Sequence, residues 1–168
     1  MISKINNVKG LLIEECKDLY HSNQQELKEL PKFEKTASSP DLKRFIKKQM
    51  IATKFQQKQL DEVLTELNWV NTTGTCDTTT SILNRTEEIM KQSTKRVVRD
   101  ASIVNSLQYL NHRKIAGFVA SANFANQIGQ TEVAEIFQGA LEQERDTDFE
   151  LCVLAEKEID ETSPYTTY

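Results

Sequence analysis

The stretch that decides the fold is residues 40–67, which read PDLKRFIKKQMIATKFQQKQLDEVLTEL. Its apolar residues recur every three or four positions, which is the spacing of one face of an α-helix. Ser39 stands before it as a capping residue, Pro40 occupies the first turn, and Asp41 adds an acidic side chain there. This order is typical of a helix start. The stretch therefore predicts a long amphipathic helix that begins at Pro40 and ends near Leu67.

The same periodicity predicts three further long helices and one short helix. They are expected at about residues 5–35, 80–92, 96–128 and 131–159. Pro31 should kink the first of them because it removes a backbone hydrogen bond. Gly129 stands where a glycine usually ends a helix, and residues 68–80 form the main irregular stretch. A short break, a long crossover with a small helix and a tight turn together predict an all-α, ferritin-like four-helix bundle.

One domain, residues 1–160, is expected to hold this bundle, and residues 161–168 are expected to be a flexible C-terminal tail. The formal net charge of −4 provides no overall positive field for nucleic acid. No segment approaches the ~18 consecutive apolar residues of a membrane span, and the N-terminus does not resemble a secretory signal. The sequence therefore predicts a cytoplasmic protein that contacts neither nucleic acid nor membrane.

Every long helix interrupts its apolar stripe with polar residues at mid-length. These inward positions, here called the polar belt, are Asn23, Gln49, Gln56, Asn111, Lys114 and Glu144. Aligned polar residues inside a bundle suggest a shared site, because a buried polar group is costly unless it is paired. Bundles that hold two metal ions supply about four carboxylates from their four helices. Here only Glu144 and Asp148 are acidic, so no metal cofactor is predicted.

Several short motifs also follow one another along the chain in a fixed order. They are Asp18-Leu19-Tyr20, Leu30-Pro31-Lys32, residues 37–42 (ASSPDL), Arg99-Asp100-Ala101, Ile115-Ala116, Gln127-Ile128-Gly129 and Leu141-Glu142-Gln143-Glu144. In these motifs the chain resembles the YciE/YciF family of ferritin-like bacterial stress proteins, over about residues 8–157. The resemblance implies a ferritin-like fold, a homodimer and an association with stress.

The resemblance also identifies where the family's metal-binding residues have changed. Positions that are typically glutamate in the family are Asn23, Ala52, Asn111, Lys114 and Gln143 in this sequence, whereas Glu144 and His112 are retained. The former metal-site positions, together with neighbouring inward residues, are then Asn23, Gln49, Ala52, Gln56, Asn111, Lys114, Gln143 and Glu144. The resemblance thus implies the family's scaffold with a degenerate di-metal site.

Lys114 is the most informative of these residues, because it places a positive charge at the level where a metal would lie. We predict a buried ion pair between Lys114 and Glu144, flanked by the side-chain amides of Asn23 and Gln56. In the alternative, Lys114 extends to the edge of the bundle and the polar belt is hydrated. His21 is expected to face solvent, since it lies on the other side of its helix from Asn23.

These observations favour a non-enzymatic, stress-associated ferritin-like protein that acts through its surface as a homodimer, with no catalytic residue. One alternative is an iron or manganese oxidoreductase, or a metal-binding protein, with an atypical site around His112, Glu144 and Asp148. Another is an adaptor that binds a protein partner through the threonine-rich loop at residues 71–80 or through the tyrosine-rich tail.

Overall fold

A computed structural model describes residues 5–69 and 73–160 of the chain, the last three by their backbone alone. Five helices follow in order: α1 (Val8–Thr36), α2 (Pro40–Glu66), α3 (Asp77–Gln92), α4 (Arg96–Gln127) and α5 (Thr131–Asp160). The described residues contain no β-strand. The predicted all-α, ferritin-like bundle with a short helix in its crossover is confirmed. The predicted tail at residues 161–168 lies outside the described residues.

The helix ends follow the local signals in the sequence. The Ser39 side chain accepts a hydrogen bond from the backbone N–H of Leu42 (3.3 Å), which caps α2 as predicted. Gly129 has φ +76°, the left-handed conformation that closes α4. α1 continues unbroken through Pro31 to Thr36, so the proline is accommodated inside the helix, where a bend is expected.

The start of α3 differs from the prediction, which placed it near Thr80. The helix begins three residues earlier, at Asp77. The cause is a tertiary contact, because the Gln25 side chain on α1 accepts a hydrogen bond from the backbone N–H of Cys76 (2.8 Å) and donates one to Thr80 (2.6 Å). These bonds hold the first turn of α3 against α1, and they leave no trace in the apolar periodicity of the segment.

The apolar core is divided into two clusters, one toward each end of the bundle. The first cluster includes Leu12, Leu19, Leu64, Phe118 and Phe137. The second includes Leu30, Phe33, Ile46, Ile103 and Leu151. The middle of each long helix lies between them, and the polar belt therefore separates two apolar cores.

None of the helices in residues 5–69 and 73–160 combines the length and the hydrophobicity of a membrane span.

Candidate functional site

Lys114 lies at the centre of the polar belt, and its side chain is completely buried. The ammonium Nζ is 2.8 Å from Glu26 Oε2 and donates a hydrogen bond to Thr53 Oγ1 at 3.1 Å. Its distance to Glu144 Oε1 is 4.0 Å. One lysine from α4 thus lies between carboxylates from α1 and α5 and a hydroxyl from α2.

The Glu144 carboxylate is bound mainly by amides. Gln56 Nε2 donates to its Oε1 (2.7 Å), and Asn111 Nδ2 donates to its Oε2 (2.7 Å) and to the Glu144 backbone carbonyl (2.9 Å). Amide donors on both oxygens stabilise a buried carboxylate without a metal ion. Gln56 also donates to Gln143 Oε1 at 3.0 Å, which links the buried cluster to an exposed residue of α5.

The ion pair predicted between Lys114 and Glu144 is present at 4.0 Å, but the closer partner of Lys114 is Glu26, which the sequence reading did not include. That reading placed Leu27 on the inward face of α1. In the structure Glu26 is buried and Leu27 only partly so. The ammonium of Lys114 offsets the cost of burying a carboxylate, which apolar periodicity does not detect. The available signal was the spacing from Asn23, since residues three apart share a helix face.

The charges of this cluster act on one another at close range. Burial raises the pKa of Glu26, and the neighbouring Lys114 ammonium partly opposes this change. Burial disfavours the charged form of Lys114 as well, but the charges of Glu26 and Glu144 outweigh it, so its pKa is raised above the ordinary value. Lys114 is therefore protonated at neutral pH, and the cluster carries one fixed positive charge that faces two carboxyl groups.

A hydrogen-bonded chain extends the cluster to the crossover helix. Ser22 Oγ donates to Glu26 Oε1 (3.3 Å) and shares a hydrogen bond with Thr79 Oγ1 (2.7 Å). Ser22 and Thr79 are both completely buried. Side chains from α1, α2, α3, α4 and α5 thus belong to one continuous polar network, from Thr79 on one side of the bundle to Gln143 on the other.

Asn23 occupies the belt without the role predicted for it. Its side chain is fully buried, and neither of its amide atoms has a hydrogen-bond partner among the described residues. Asn111 Oδ1 and Gln56 Oε1 are also buried and unpaired in this part of the chain. Groups of this kind in a polar interior are the usual partners of ordered water. The sequence predicted Asn23 and Gln56 as the amides that flank the ion pair. In the structure the amides in contact with Glu144 are Gln56 and Asn111.

The remaining former metal-site positions lie toward the surface between α2 and α5. Gln49, Ala52 and Gln143 line an open depression of about 250 Å³ there. Gln49 is 7% exposed, and Ala52 is half-buried. Of these three, Gln143 is joined to the buried cluster through Gln56.

His112, Glu144 and Asp148, which the sequence offered as an alternative metal site, do not lie together: two are at the surface and one is in the core. His112 Nε2 lies 2.7 Å from Asp148 Oδ1, and the His112 side chain is 65% exposed. Glu144 points into the core and is held by amides. Across the described ranges, no group of three or more His, Cys, Asp or Glu side chains is arranged to hold a metal ion.

His21 does not face solvent, and this prediction was wrong. The residue is buried, and its ring packs edge-on against Tyr20 and Trp69, with centroid distances of 5.6 and 6.2 Å. The segment before α3 covers it, since a Cβ placed on Gly74 would lie 2.5 Å from His21 Nε2. A helical periodicity reports the direction of a side chain but not whether a loop covers it.

The three cysteines differ in their exposure to solvent. Cys16 and Cys76 are buried and Cys152 is exposed, all as free thiols. Burial raises the pKa of Cys16 to about 12. A thiol with this pKa is protonated at neutral pH and a poor nucleophile.

Fold and site together define a class: a ferritin-like bundle whose mid-level belt holds a buried lysine between two carboxyl groups. A family profile described as "Domain of unknown function (DUF892)" matches residues 7–163, and the chain belongs to this family. It is similar to protein YciF of Escherichia coli strain K12, with 25% identity over 152 residues, which span 90% of this chain and 92% of that protein. The resemblance to the YciE/YciF family is therefore confirmed.

Two solved structures share the fold. The crystal structure of the E. coli stress protein YciF superposes with a TM-score of 0.86 at 24% identity, over 93% of this chain and 99% of that one. YcfI from Rhodopseudomonas palustris, described as a putative structural protein, gives a TM-score of 0.83 at 24% identity, over 90% and 96% of the two chains.

Proposed function

We propose that this protein is a non-enzymatic, ferritin-like structural or interaction protein in which a lysine-centred network has replaced the di-metal site. The observation that carries the proposal is the completely buried Lys114, with its ammonium 2.8 Å from Glu26 and 4.0 Å from Glu144. Its fixed positive charge occupies the middle of the belt, where a metal cation would have to lie.

Charge balance supports this proposal. Two divalent ions bring four positive charges and are usually held by about four carboxylates. The cluster offers Glu26 and Glu144, and Lys114 already balances one of them. A metal ion beside the ammonium would meet like-charge repulsion in an environment of low dielectric constant, and neutral amides would contribute little to offset it.

The names of the relatives support a role associated with stress or structure. One related structure is called a stress protein and the other a putative structural protein. For this chain we propose a cytoplasmic stress-associated role, exercised through its surface as a homodimer. A surface role requires no catalytic residue. The protonated thiol of Cys16 and the amide-bound carboxylate of Glu144, both in the interior, agree with such a role.

The metal content of the purified protein tests the proposal directly. The chain is expressed in medium supplemented with iron and manganese and then subjected to elemental analysis. We expect less than ~0.1 metal ion per chain, because the ligands that a metal needs are already paired with Lys114 and the amides. Iron or manganese at close to one ion per chain would refute the proposal.

A restoration variant provides the positive control. It restores glutamate at four of the five positions that the resemblance to the family identifies, with the substitutions Asn23→Glu, Ala52→Glu, Asn111→Glu and Lys114→Glu. This variant should take up metal under the same conditions, since it regains four carboxylates and loses the ammonium.

A second candidate function follows from the 2.7 Å contact between His112 and Asp148. These two side chains could supply an exposed, low-occupancy metal site with an imidazole and a carboxylate ligand. If the purified protein contains metal, a His112→Ala variant distinguishes this surface site from one in the belt. Loss of the metal in His112→Ala would support the surface site and the alternative metal-binding function.

A further inference from the structure

Four large and strongly exposed apolar side chains lie on the face formed by α2 and α5. Ile51 and Phe149 are each 72% exposed, Phe55 is 58% exposed and Val153 is 53% exposed. Between the two helices runs an open groove of about 490 Å³ whose lining includes Phe149 and Val153. Exposed apolar side chains beside a groove with a charged rim are typical of a protein–protein contact.

The two helices lie antiparallel, in a register fixed by contacts between them. Lys48 pairs with Glu150 (2.5 Å), and Gln56 bonds to Gln143 (3.0 Å). Lys157 and Asp41 form a further ion pair toward one end of the groove. Any residue of α2 can therefore be assigned a residue of α5 at the same height, to within about one position.

Charge is distributed unequally between the two helices. α2 contains six basic and four acidic residues, and α5 contains two basic and ten acidic residues. A single copy therefore presents a basic helix beside an acidic helix. A second copy turned about an axis parallel to these helices would place the basic helix of each copy on the acidic helix of the other.

The outward residues of the two helices match at this register. On α2 the seven-residue spacing Arg44, Ile51, Lys58 gives a basic, an apolar and a basic side chain on one face. On α5 the same spacing gives an acidic, an aromatic and an acidic side chain, at Glu142, Phe149 and Glu156. All six are exposed, and two of them have a partner on their own helix, Arg44 with Asp41 and Lys58 with Glu62.

The heights agree across the whole row. In the antiparallel register Arg44 lies level with Glu156, Ile51 with Phe149, and Lys58 with Glu142, within about one residue. The two-fold arrangement would thus bring each basic residue of α2 onto an acidic residue of the partner's α5, with the apolar residues in the centre. An apolar centre with a complementary charged rim is the usual anatomy of a specific interface.

We propose that the α2/α5 face is the homodimer interface, with α2 of each copy packed on α5 of the other. This inference rests on the homodimer of the proposed function and names its surface. Two helices of about 40 Å, side by side at about 10 Å each, offer a face of about 800 Å², which is what a stable complex usually takes from each partner.

Sedimentation velocity of the full chain over a range of concentrations tests the interface. The parent should be a dimer, and Phe149→Asp should raise its dissociation constant by at least ~30-fold, because a central aromatic contact is lost. Tyr109→Asp is the matched control, since Tyr109 is 59% exposed on α4, away from this face. It should leave the dimer intact. Circular dichroism and thermal melts establish that both variants are folded.

Charge reversal gives a test that misfolding cannot imitate. Lys58→Glu and Glu142→Lys should each weaken the homodimer by about fivefold or more, because each places like charges together twice. When the two variants are mixed, one contact carries the swapped pair and the other the native pair. The mixture should therefore dimerise as tightly as the parent.

Each other outcome overturns the proposal. A parent that is still monomeric at ~100 μM would refute the homodimer, because this concentration is far above the dissociation constants of stable dimers. A second copy of the chain would then be excluded as the partner of this face. A dimeric parent that is indifferent to Phe149→Asp, or a mixture that fails to recover, would assign the dimer to another surface. Neither result would alter the metal content, so the replaced di-metal site is judged separately.

Discussion

Lys114→Met removes the buried cation of the polar belt and keeps a flexible side chain of similar length in its place. The substitution therefore isolates the charge from the packing. Glu26 and Glu144 remain in the core, and Glu26 loses the ammonium that lies 2.8 Å from its carboxylate. Removal of one partner from a buried ion pair typically costs ~3–5 kcal/mol, because the other partner is left as an uncompensated charge.

The magnitude should depend on pH, because the variant can relieve the charge by protonating Glu26. Protonation of a carboxyl with the ordinary pKa of 4.5 costs about 1.4 kcal/mol for each pH unit above that value. The loss of unfolding free energy in Lys114→Met cannot exceed the cost of protonating Glu26. That cost is about 5 kcal/mol at pH 8 and less than about 1 kcal/mol at pH 5. The loss of stability in Lys114→Met should therefore be several-fold larger at pH 8 than at pH 5.

The free energy of unfolding of the parent protein also depends on pH, and Glu26 and Lys114 determine the sign of this dependence. Because the folded-state pKa of Glu26 is raised, its contribution to stability is greatest at low pH and declines as the pH rises above 4.5. The raised pKa of Lys114 gives a contribution that is complete below 10.5 and is lost only as the pH rises through the folded-state value. Between pH 5 and pH 8 the polar belt contributes to this slope through Glu26, and Lys114→Met should steepen that contribution.

Chemical denaturation followed by circular dichroism at pH 5 and pH 8 measures these differences. Lys91→Met is the matched control, because the pair of Lys91 with Glu87 lies on α3, away from the α2/α5 face, and is exposed and worth ~0–1 kcal/mol. A second variant, Lys114→Met with Glu26→Leu, removes both charges and should recover most of the lost stability. If Lys114→Met were as stable as the parent at pH 8, the ion-paired interior would be refuted.

Two further substitutions test the surroundings of the belt. Gln56→Leu removes the amide that donates to Glu144 Oε1 at 2.7 Å and should lower the free energy of unfolding by about 1–3 kcal/mol, measured by urea denaturation; an unchanged value would show that this amide is dispensable. Gly74→Ala places a Cβ against the His21 ring and should lower the melting temperature, at a cost of about 1–3 kcal/mol. The cost should shrink in a His21→Ala background, and an equal cost in both backgrounds would contradict the contact.

The bundle itself could be predicted from the sequence because its signals are local. The apolar spacing, the Ser39 cap and the Gly129 terminator act within a few residues of the helix ends that they determine. The start of α3 could not be predicted in this way, since it is held by the side chain of Gln25, which lies 51 residues from Cys76 in the sequence.

The sequence predicted where the polar belt lies along the bundle, but it did not predict which of its side chains bond to one another. Interrupted stripes placed Gln56, Asn111, Lys114 and Glu144 together, and the structure joins them to one another. Glu26 was missed because a carboxylate on an otherwise apolar face is normally assigned to solvent. Only the position of Lys114 on another helix makes its burial favourable, and that information is tertiary.

The double variant that removes both Lys114 and Glu26 also addresses what the network contributes. Apolar replacement of a buried ion pair is often neutral or stabilising, so stability alone does not account for the cluster. Hydrogen bonds are directional, and those of the belt join five helices between two apolar cores that could each tolerate small lengthwise shifts. We therefore expect the double variant to keep its stability but to show a less uniform interior. Broadened side-chain resonances near the belt, with an unchanged melting temperature, would support this role, and parent-like spectra would refute it.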